Sequence, residues 1–189
     1  MRIIAGKLKG HILHLPKDKS TRPLKDLVKE SIFNLLAHSN KISLKIQKSN
    51  ILDLYSGTGS FGLECISRCA ECVCFVENGK SVIEILKKNI EKLNVKNKIK
   101  IFFSDTFVFL KKKNIFESKF DLIFCDPPFA DANIEELLNL IFSTNLLSKD
   151  GIVILHRNKN IKDNFPNYFQ IIEERSYGVS KIIFGKFLS

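Results

Sequence analysis

Apolar and polar positions follow two alternating patterns along most of this chain. Short apolar runs, typical of buried strands, alternate with segments whose apolar residues recur at helical spacing. The runs predict strands over residues 50–54, 72–77, 98–103, 120–125 and 151–156. The other segments predict helices over 60–69, 80–93 and 133–145, with one more between 103 and 120. Such alternation predicts an α/β fold with a parallel sheet, right-handed crossovers and helices on both faces.

The two ends of the chain depart from this alternation. Residues 2–16 contain short apolar runs around a Gly and Lys turn, which predicts a basic hairpin, and residues 24–38 have the spacing of an amphipathic helix. At the other end, the apolar-rich runs from Tyr168 to Arg175 and from Val179 to Phe187 are too close for a crossover helix. They must therefore pair as an antiparallel hairpin.

A polar break over residues 39–49 separates the N-terminal part from the alternating part. The length of 189 residues suits one well-buried core but not two independent enzymatic domains. We therefore expect a small N-terminal extension of hairpin and helix over residues 1–40, and a catalytic domain over residues 41–189.

The most informative motif is Asp126-Pro127-Pro128-Phe129, which directly follows the apolar run 120–125. Two prolines stop strand or helix, so backbone carbonyls there stay available as acceptors. Ligands of open α/β sheets bind at the carboxyl ends of the strands. The exocyclic amine of a nucleobase needs acceptors for its hydrogens and a ring face for stacking, and this turn provides both. The alternative is an ordinary turn with Phe129 in the core.

The second motif is a glycine-rich loop between a predicted strand and a predicted helix. Gly57, Gly59 and Gly62 have the G-x-G-x-x-G spacing, which allows a tight turn and close approach of backbone amides to a ligand. Glu77 ends the next apolar run, about twenty residues later, and suits a ribose hydroxyl pair. A dinucleotide and S-adenosylmethionine both carry such a ribose, so this motif alone does not separate them.

Charge and composition add two expectations about partners and location. Thirty Lys and Arg against twenty Asp and Glu give a net charge of +10, which favours a polyanion such as RNA or DNA. The excess consists mainly of Lys, so mutational bias toward certain codons is an alternative cause. Neither an apolar run of membrane-spanning length nor an apolar signal core occurs, and we expect a cytoplasmic protein without a membrane partner.

Three of the five cysteines form a possible metal motif. Cys65, Cys69 and Cys72 have the C-x3-C-x2-C spacing of radical S-adenosylmethionine enzymes. Their predicted places on a helix and a strand, however, differ from the loop that usually wraps an iron–sulfur cluster. Buried structural thiols are the favoured interpretation, and we expect no metal.

Together, these residues resemble the bacterial small-subunit rRNA guanine-N2 methyltransferases of the RsmD type. The likeness runs nearly end to end and includes the opening Arg2 to Gly6, the Arg22-Pro23 pair with Asp26, Val28, Glu30, Phe33 and Asn34, residues 53–62, Glu77, and residues 126–129. The chain departs from the family with Leu24 in place of Thr, Lys29 in place of Arg, Ser56 in place of Ala, and Asn78 in place of an acid.

The resemblance implies a Rossmann-like methyltransferase fold with a seven-stranded, mostly parallel sheet. It also implies S-adenosylmethionine as cofactor and the N2 amine of a guanine in 16S rRNA as target, guanine 966 in the standard rRNA numbering. The expected partner is 16S rRNA, within a small-subunit assembly, and the expected state is a monomer. A terminal antiparallel hairpin distinguishes this fold from an ordinary dinucleotide-binding fold.

The resemblance assigns residues to three parts of the expected site. The cofactor part comprises Asp53, Tyr55, Ser56, Gly57, Thr58, Gly59, Glu77, Asn78, Asp105 and Thr106. The catalytic part comprises Asp126, Pro127, Pro128 and Phe129, in which Asp126 orients the guanine amine, with or without removing its proton. The RNA part comprises Arg2, Lys7, Lys9, Arg22, Lys25 and His156, the last at the edge of the base pocket.

Other classes of protein remain as alternatives at this point. An amine methyltransferase for another RNA or DNA base shares the turn, and a nicotinamide oxidoreductase shares the glycine loop. A radical enzyme would use the cysteines, and a non-catalytic RNA-binding protein would explain the charge but not Glu77 or Asp105.

Overall fold

The computed structural model describes residues 1–16, 24–112, 116, 118–128 and 133–188. Its strands are β1 (Asn50–Leu54), β2 (Cys72–Glu77), β3 (Ile99–Phe103), β4 (Phe120–Cys125), β5 (Leu147–Asn158), β6 (Phe169–Tyr177) and β7 (Ser180–Phe187). Its helices are α1 (Asp26–His38), α2 (Ser60–Ser67), α3 (Lys80–Leu93), α4 (Thr106–Leu110) and α5 (Ile134–Ser143), with a 3-10 turn at Lys96–Lys98. The order of elements is the one that the apolar pattern predicts.

The strands of the described residues form one sheet in the order β3-β2-β1-β4-β5-β7-β6. Strands β1 to β5 are parallel, and β7 pairs antiparallel with both β5 and β6. The predicted α/β fold, a mostly parallel sheet that ends in an antiparallel hairpin, is confirmed. The strand order reverses between β1 and β4, and in sheets of this kind a crevice opens there at the carboxyl ends of the strands.

Side chains of the central strands alternate between two apolar layers. Ile51 and Phe124 belong to the layer covered by α1, α2 and α3, whereas Leu52 and Ile123 belong to the layer covered by α4 and α5. Burial on both faces explains why these strands read as continuous apolar runs. The result is a sheet buried on both faces, whose central strand ends hold the loops of the candidate site.

The strand β5 begins earlier than predicted, at Leu147 instead of residue 151. Phe120 pairs with Leu147 and Leu122 pairs with Ile152, so a bulge in β5 takes up extra residues between these two pairs. Helix α2 ends at Ser67, two residues before the predicted end, and Cys69 beyond it has a positive φ of 68° that a helix cannot contain.

The segment before α1 folds back on itself and docks on α2. Arg2 and Ile12 form an antiparallel bridge, which confirms the predicted reversal of the chain. The backbone amides of Ile4 and Ala5 donate to the Glu64 carboxylate on α2, at 2.7 and 2.9 Å. The Ser67 hydroxyl of the same helix accepts from the Leu8 amide at 2.9 Å, so two side chains of α2 attach the N-terminal segment.

Apolar residues of the extension also share a core with the sheet. Ile3, Leu13 and Val28 belong to the same buried cluster as Ile51. A boundary at residue 40 stays a prediction, since packing continues across it. Within the described residues, no helix combines the length and apolar character needed to cross a bilayer.

Candidate active site

A cavity of about 530 Å³ opens at the carboxyl ends of β1, β2 and β4, where the strand order reverses. This volume lies within the usual range for small-molecule sites. The lining residues come from the glycine loop, the turn after β4 and nearby positions: Leu24, Asp53, Tyr55, Ser56, Gly57, Thr58, Ser60, Phe61, Glu77, Asn78, Gly79, Ser81, Val82, Phe124, Asp126, Pro127 and Pro128. The two sequence motifs therefore face one shared space.

A wider groove of about 850 Å³ lies elsewhere, between the end of α1 and β6. Its lining includes Lys41, Glu173 and Arg175 and none of the motif residues. The smaller cavity is the candidate site because the chemistry-bearing side chains converge there.

Local hydrogen bonds fix the glycine loop over the end of β1. The Ser56 amide donates to the Val76 carbonyl at 3.1 Å, and the Gly59 amide donates to the Ser56 carbonyl at 2.9 Å. Gly59 has a φ of +83°, and a Cβ there would lie 2.4 Å from Leu86 Cδ1. A Cβ at Gly57 would meet no atom within 4 Å, so the backbone there borders open space that a ligand can approach.

The Glu77 carboxylate closes this loop against the end of β2. Its Oε2 accepts from the Gly57 amide at 2.7 Å, and its Oε1 accepts from the amides of Asn78 and Gly79 at 3.0 and 2.7 Å. A carboxylate offers about four acceptor positions, so about one is left for a ligand hydroxyl. Binding of a ribose by Glu77 stays a prediction, and the observed contacts show how its carboxylate is oriented.

Asp53 lies at the base of the cavity and is 1% exposed. Burial raises the pKa of its carboxyl well above 3.8, the Gly62 amide at 3.0 Å opposes this, and the charges of Asp126 and Glu77 add to the increase in pKa. Three carboxyl groups thus border one cavity. The charges of Glu77 and Asp126 favour a ligand with a positive centre, whereas burial favours the neutral form of Asp53.

We expect Asp53→Asn to stabilise the protein progressively as the pH rises. The folded-state pKa lies above the unfolded value near 3.8, so the stability that protonation provides is complete below that value and is lost as the pH rises through the folded pKa. Asn stays neutral and can still accept from the Gly62 amide. Within this window, the gain should be about 1.4 kcal/mol per pH unit.

Urea unfolding of both proteins between about pH 4 and pH 8 measures this difference directly. Other titrating groups cancel because they are common to the two proteins. A stability difference that does not change with pH would show that Asp53 does not hold its proton in the folded state.

One polar group of the cavity is free to bind a ligand. The Ser56 hydroxyl is buried and has no partner among the described residues, a state that costs about 1–3 kcal/mol and that a ligand atom would relieve.

The glycine loop is also supported from outside the cavity by Asn89 on α3. The Thr58 carbonyl accepts from Asn89 Nδ2 at 3.0 Å, and the same Asn89 side chain bonds both backbone groups of His14, at 2.7 and 3.2 Å. Helix α3 and the N-terminal segment thus support the loop.

The turn after β4 is held by a side chain of β5. Asp126 Oδ1 lies 2.8 Å from His156 Nδ1, and His156 Nε2 lies 2.9 Å from Ser180 Oγ on β7. His156 is 3% exposed and does not line the cavity, in contrast to its predicted place at the edge of the base pocket. The physical reason is that β5 continues to Asn158, so that β7 covers His156 through pairing with Ile182.

The next residue of β5 contacts the other end of the same turn. Arg157 is 1% exposed, and its guanidinium forms a bidentate ion pair with the Asp163 carboxylate at 2.9–3.1 Å. Its other terminal nitrogen donates to the Pro128 carbonyl at 3.4 Å. Two successive residues of β5 therefore hold the turn near Asp126 and near Pro128.

Asp105 and Thr106 lie outside the lining of this cavity, beyond Tyr55. Asp105 is the N-cap of α4 and accepts from the Val108 amide at 3.0 Å. The Thr106 hydroxyl bonds to the phenol of Tyr55, whose pKa burial raises. The cap role of Asp105 is thus observed, whereas its role toward a ligand stays a prediction.

The predicted RNA-contacting residues are spread along the N-terminal part. Arg2, Lys7, Lys9 and Lys25 are exposed there. Arg22 and Phe129 lie outside the described residues. The prediction that these residues contact nucleic acid is not tested by their exposure.

The cysteines do not converge on a common point among the described residues. Cys65 is fully buried on α2, and burial raises the pKa of its thiol well above 9.0. Cys74 is buried in β2, with a pKa raised to about 12 by burial and by Cys72. In the described part of the chain, no three His, Cys, Asp or Glu side chains are placed to hold a metal ion.

The chain is similar to one family of proteins along nearly its whole length. The model of the family described as Conserved hypothetical protein 95 matches residues 1–186. Ribosomal RNA small subunit methyltransferase D of Haemophilus influenzae is 31% identical over 180 residues, which cover 95% of this chain and 90% of that relative.

Two solved structures share the fold. The putative methyltransferase yhhF from Escherichia coli has a TM-score of 0.84 at 27% identity, and the match covers 99% of this chain and 97% of the yhhF chain. The putative methylase HI0767 from Haemophilus influenzae has a TM-score of 0.77 at 30% identity, and the match covers 100% of this chain and 98% of the HI0767 chain. The chain therefore belongs to the Conserved hypothetical protein 95 family, which is the RsmD family.

Proposed function

We propose that this protein transfers a methyl group from S-adenosylmethionine to the exocyclic N2 amine of a guanine in 16S rRNA, guanine 966 in the standard rRNA numbering. The observation that carries the proposal is the single cavity into which the glycine loop and the turn after β4 both open. One motif suits a nucleoside cofactor and the other a planar amine, so methyl donor and acceptor would meet there. The name of the Haemophilus relative, an rRNA small subunit methyltransferase, supports small-subunit rRNA as the methylated molecule.

The residues around the glycine loop fit the proposed cofactor. Bound S-adenosylmethionine would supply a methyl carbon activated by a positively charged sulfur. The open backbone at Gly57 and the unpartnered Ser56 hydroxyl would hold its amino-acid part, and Glu77 would accept from its ribose. Glu77 would complement its positive charges, Asp53 would accept a hydrogen bond from its ammonium group, and Asp105 with Thr106 would meet the adenine amine beyond Tyr55.

The turn after β4 would orient the target amine. The Asp126 carboxylate and the Pro127 carbonyl would accept hydrogen bonds from its two N–H groups, which turns the nitrogen lone pair toward the methyl carbon. The proton that the methylated amine then loses would pass to Asp126 or to water. Phe129 would stack on the base after it leaves the RNA stack. The chain thus supplies alignment and water exclusion, and the apolar floor of Phe61 and Phe124, whose ring centroids lie 3.9 Å apart, supports both.

The charge of the chain fits RNA as the partner. A net charge of +10 favours a polyanion through counterion release, and the exposed residues Arg2, Lys7, Lys9 and Lys25 are proposed phosphate contacts. We propose 16S rRNA within a small-subunit assembly as the substrate of a monomeric, cytoplasmic enzyme.

The test uses small subunits from cells that lack this gene. Purified protein and isotope-labelled S-adenosylmethionine should place label on one guanine N2, mapped by nuclease digestion and mass spectrometry. A thermal shift with S-adenosylhomocysteine, but not with NAD, should accompany this result. Absence of label from rRNA, or stabilisation by NAD alone, would contradict the proposal.

A further inference from the structure

A hydrogen-bonded chain runs from β7 through β5 to the turn after β4. Ser180 Oγ, both ring nitrogens of His156 and the Asp126 carboxylate are linked at 2.9 and 2.8 Å. Ser180 and His156 are buried at 2% and 3% exposure, whereas the Asp126 side chain is 20% exposed and borders the cavity. The buried hydrogen bonds from Ser180 through His156 therefore end on Asp126, whose carboxylate a ligand in the cavity can contact.

We propose that His156 is a positioning residue, which fixes the Asp126 carboxylate in the orientation that accepts the target amine. The inference rests on the proposed function and adds a residue to its machinery. In this arrangement, Nδ1–H donates to Asp126 Oδ1, and Nε2 accepts from the Ser180 hydroxyl. A hydrogen bond at each ring nitrogen selects one tautomer and one ring orientation.

The geometry explains why Asp126 needs such a support. Asp126 lies one residue beyond β4, and its amide reaches the Leu54 carbonyl only at 3.4 Å, so the backbone holds it loosely. The contact from Arg157 to the Pro128 carbonyl restrains the turn two residues later and leaves the Asp126 side chain to His156. Since a displacement of about 1 Å can cost about 10²-fold in rate, a fixed carboxylate matters for transfer.

Two substitutions of similar size separate positioning from packing. In His156→Asn, the side-chain amide nitrogen is bonded to Cγ, as Nδ1 is, and can still donate to Asp126. In His156→Gln, the amide lies one bond further out, near the former Nε2, and can reach Ser180 but not Asp126. We expect Asn to lower kcat by about fivefold, from the lost Ser180 bond, and Gln to lower it by about 10²-fold.

The measurements are kcat and KM for both substrates, S-adenosylhomocysteine affinity, and urea unfolding of each variant. The loss in kcat for Gln should appear without a matching change in cofactor affinity or stability. Nitrogen-15 NMR of the His156 ring in the wild type should show a protonated Nδ1 and an unprotonated Nε2, and Ser180→Ala should disturb this pattern.

The outcomes distinguish the two proposals. Equal kcat for the Asn and Gln variants beside an active wild type would overturn the positioning role alone, as would the opposite ring tautomer. A wild-type protein that methylates no rRNA would overturn the proposed function, and the role of His156 with it.

Discussion

Asp126→Ala is expected to lower the rate of methyl transfer by about 30-fold to 10³-fold. The carboxylate is the acceptor that would stabilise positive charge developing on the amine, a contribution of about 2–4 kcal/mol to the barrier. Cofactor affinity should change little, because the loop around Gly57 and Glu77 keeps its own hydrogen bonds. Single-turnover rates on small subunits and calorimetry with S-adenosylhomocysteine measure the two quantities separately.

Two further variants sharpen this prediction. Asp126→Asn keeps the shape but loses the charge, and the donor Nδ1–H of His156 would draw its amide oxygen away from the target, so its activity should be nearly as low. Asp150→Ala removes an exposed carboxylate at the start of β5 and leaves the cavity unchanged, so it controls for net charge. Near-normal turnover of Asp126→Ala would remove Asp126 from the mechanism.

Local sequence signals explain most of what could be predicted. The strands β1, β2 and β4 are continuous apolar runs, and the spacing of Gly57, Gly59 and Gly62 between a strand and a helix places a ligand loop. The parallel sheet then follows from alternation, and both motifs meet because they follow neighbouring parallel strands. The meeting of the turn and the loop at one edge of the sheet could therefore be predicted from the sequence.

Contacts between distant residues could not be predicted in the same way. The partners of His156 lie 30 residues before it and 24 residues after it, and no periodicity relates these positions. The early start of β5 depends on the pairing of Phe120 with Leu147. The strand therefore runs through the polar residues before Gly151, where the apolar pattern gives no strand signal. The role of Asp105 as an N-cap, in contrast, has a local signal, since an Asp at this position accepts from a backbone amide three residues later.

One missed residue did leave a signal in the sequence. Lys29 lies on the face of α1 that carries Ile32, Phe33 and Leu36, where an apolar side chain is the usual choice. A cation at such a place needs a buried partner; the Glu64 carboxylate lies 3.8 Å from Lys29 Nζ, which also donates to the Arg2 carbonyl at 2.8 Å and to Ser60 Oγ at 3.1 Å. The identity of that partner depends on packing between two helices and has no trace in either segment alone.

Glu64→Ala is expected to lower the free energy of unfolding by about 3–5 kcal/mol, a large share of the stability of a typical domain. The carboxylate is 0% exposed and accepts from the amides of Ile4 and Ala5 and from Arg68 Nε at 2.9 Å, with Lys29 Nζ at 3.8 Å. Its removal takes the acceptor from three part-buried donors, the amides of Ile4 and Ala5 and Arg68 Nε. Urea unfolding measures the loss, and hydrogen exchange should show faster exchange at Ile4 and Ala5.

The control is Glu84→Ala on α3, where an exposed carboxylate pairs with Lys87 at 2.7 Å. Surface pairs contribute little, so the stability of this variant should equal that of the wild type. Equal losses for the two Glu variants would mean that the buried carboxylate does not fasten the N-terminal segment.

A double-mutant cycle with Lys29→Met identifies the source of the loss. Burial lowers the pKa of Lys29 and Glu64 opposes this shift, so Glu64→Ala leaves a desolvated ammonium with weaker compensation. Met fills a similar volume without charge, and Glu64→Ala should therefore cost less in the Lys29→Met protein, by about 0.5–3 kcal/mol. Strictly additive losses would place the whole effect on the other donors to Glu64, which are the amides of Ile4 and Ala5 and Arg68 Nε. A smaller cost of Glu64→Ala in the Lys29→Met protein than in the wild type would show that the buried ion pair joins α1 to α2. Lys29 Nζ also donates to Ser60 Oγ, and Ser60 lines the candidate site.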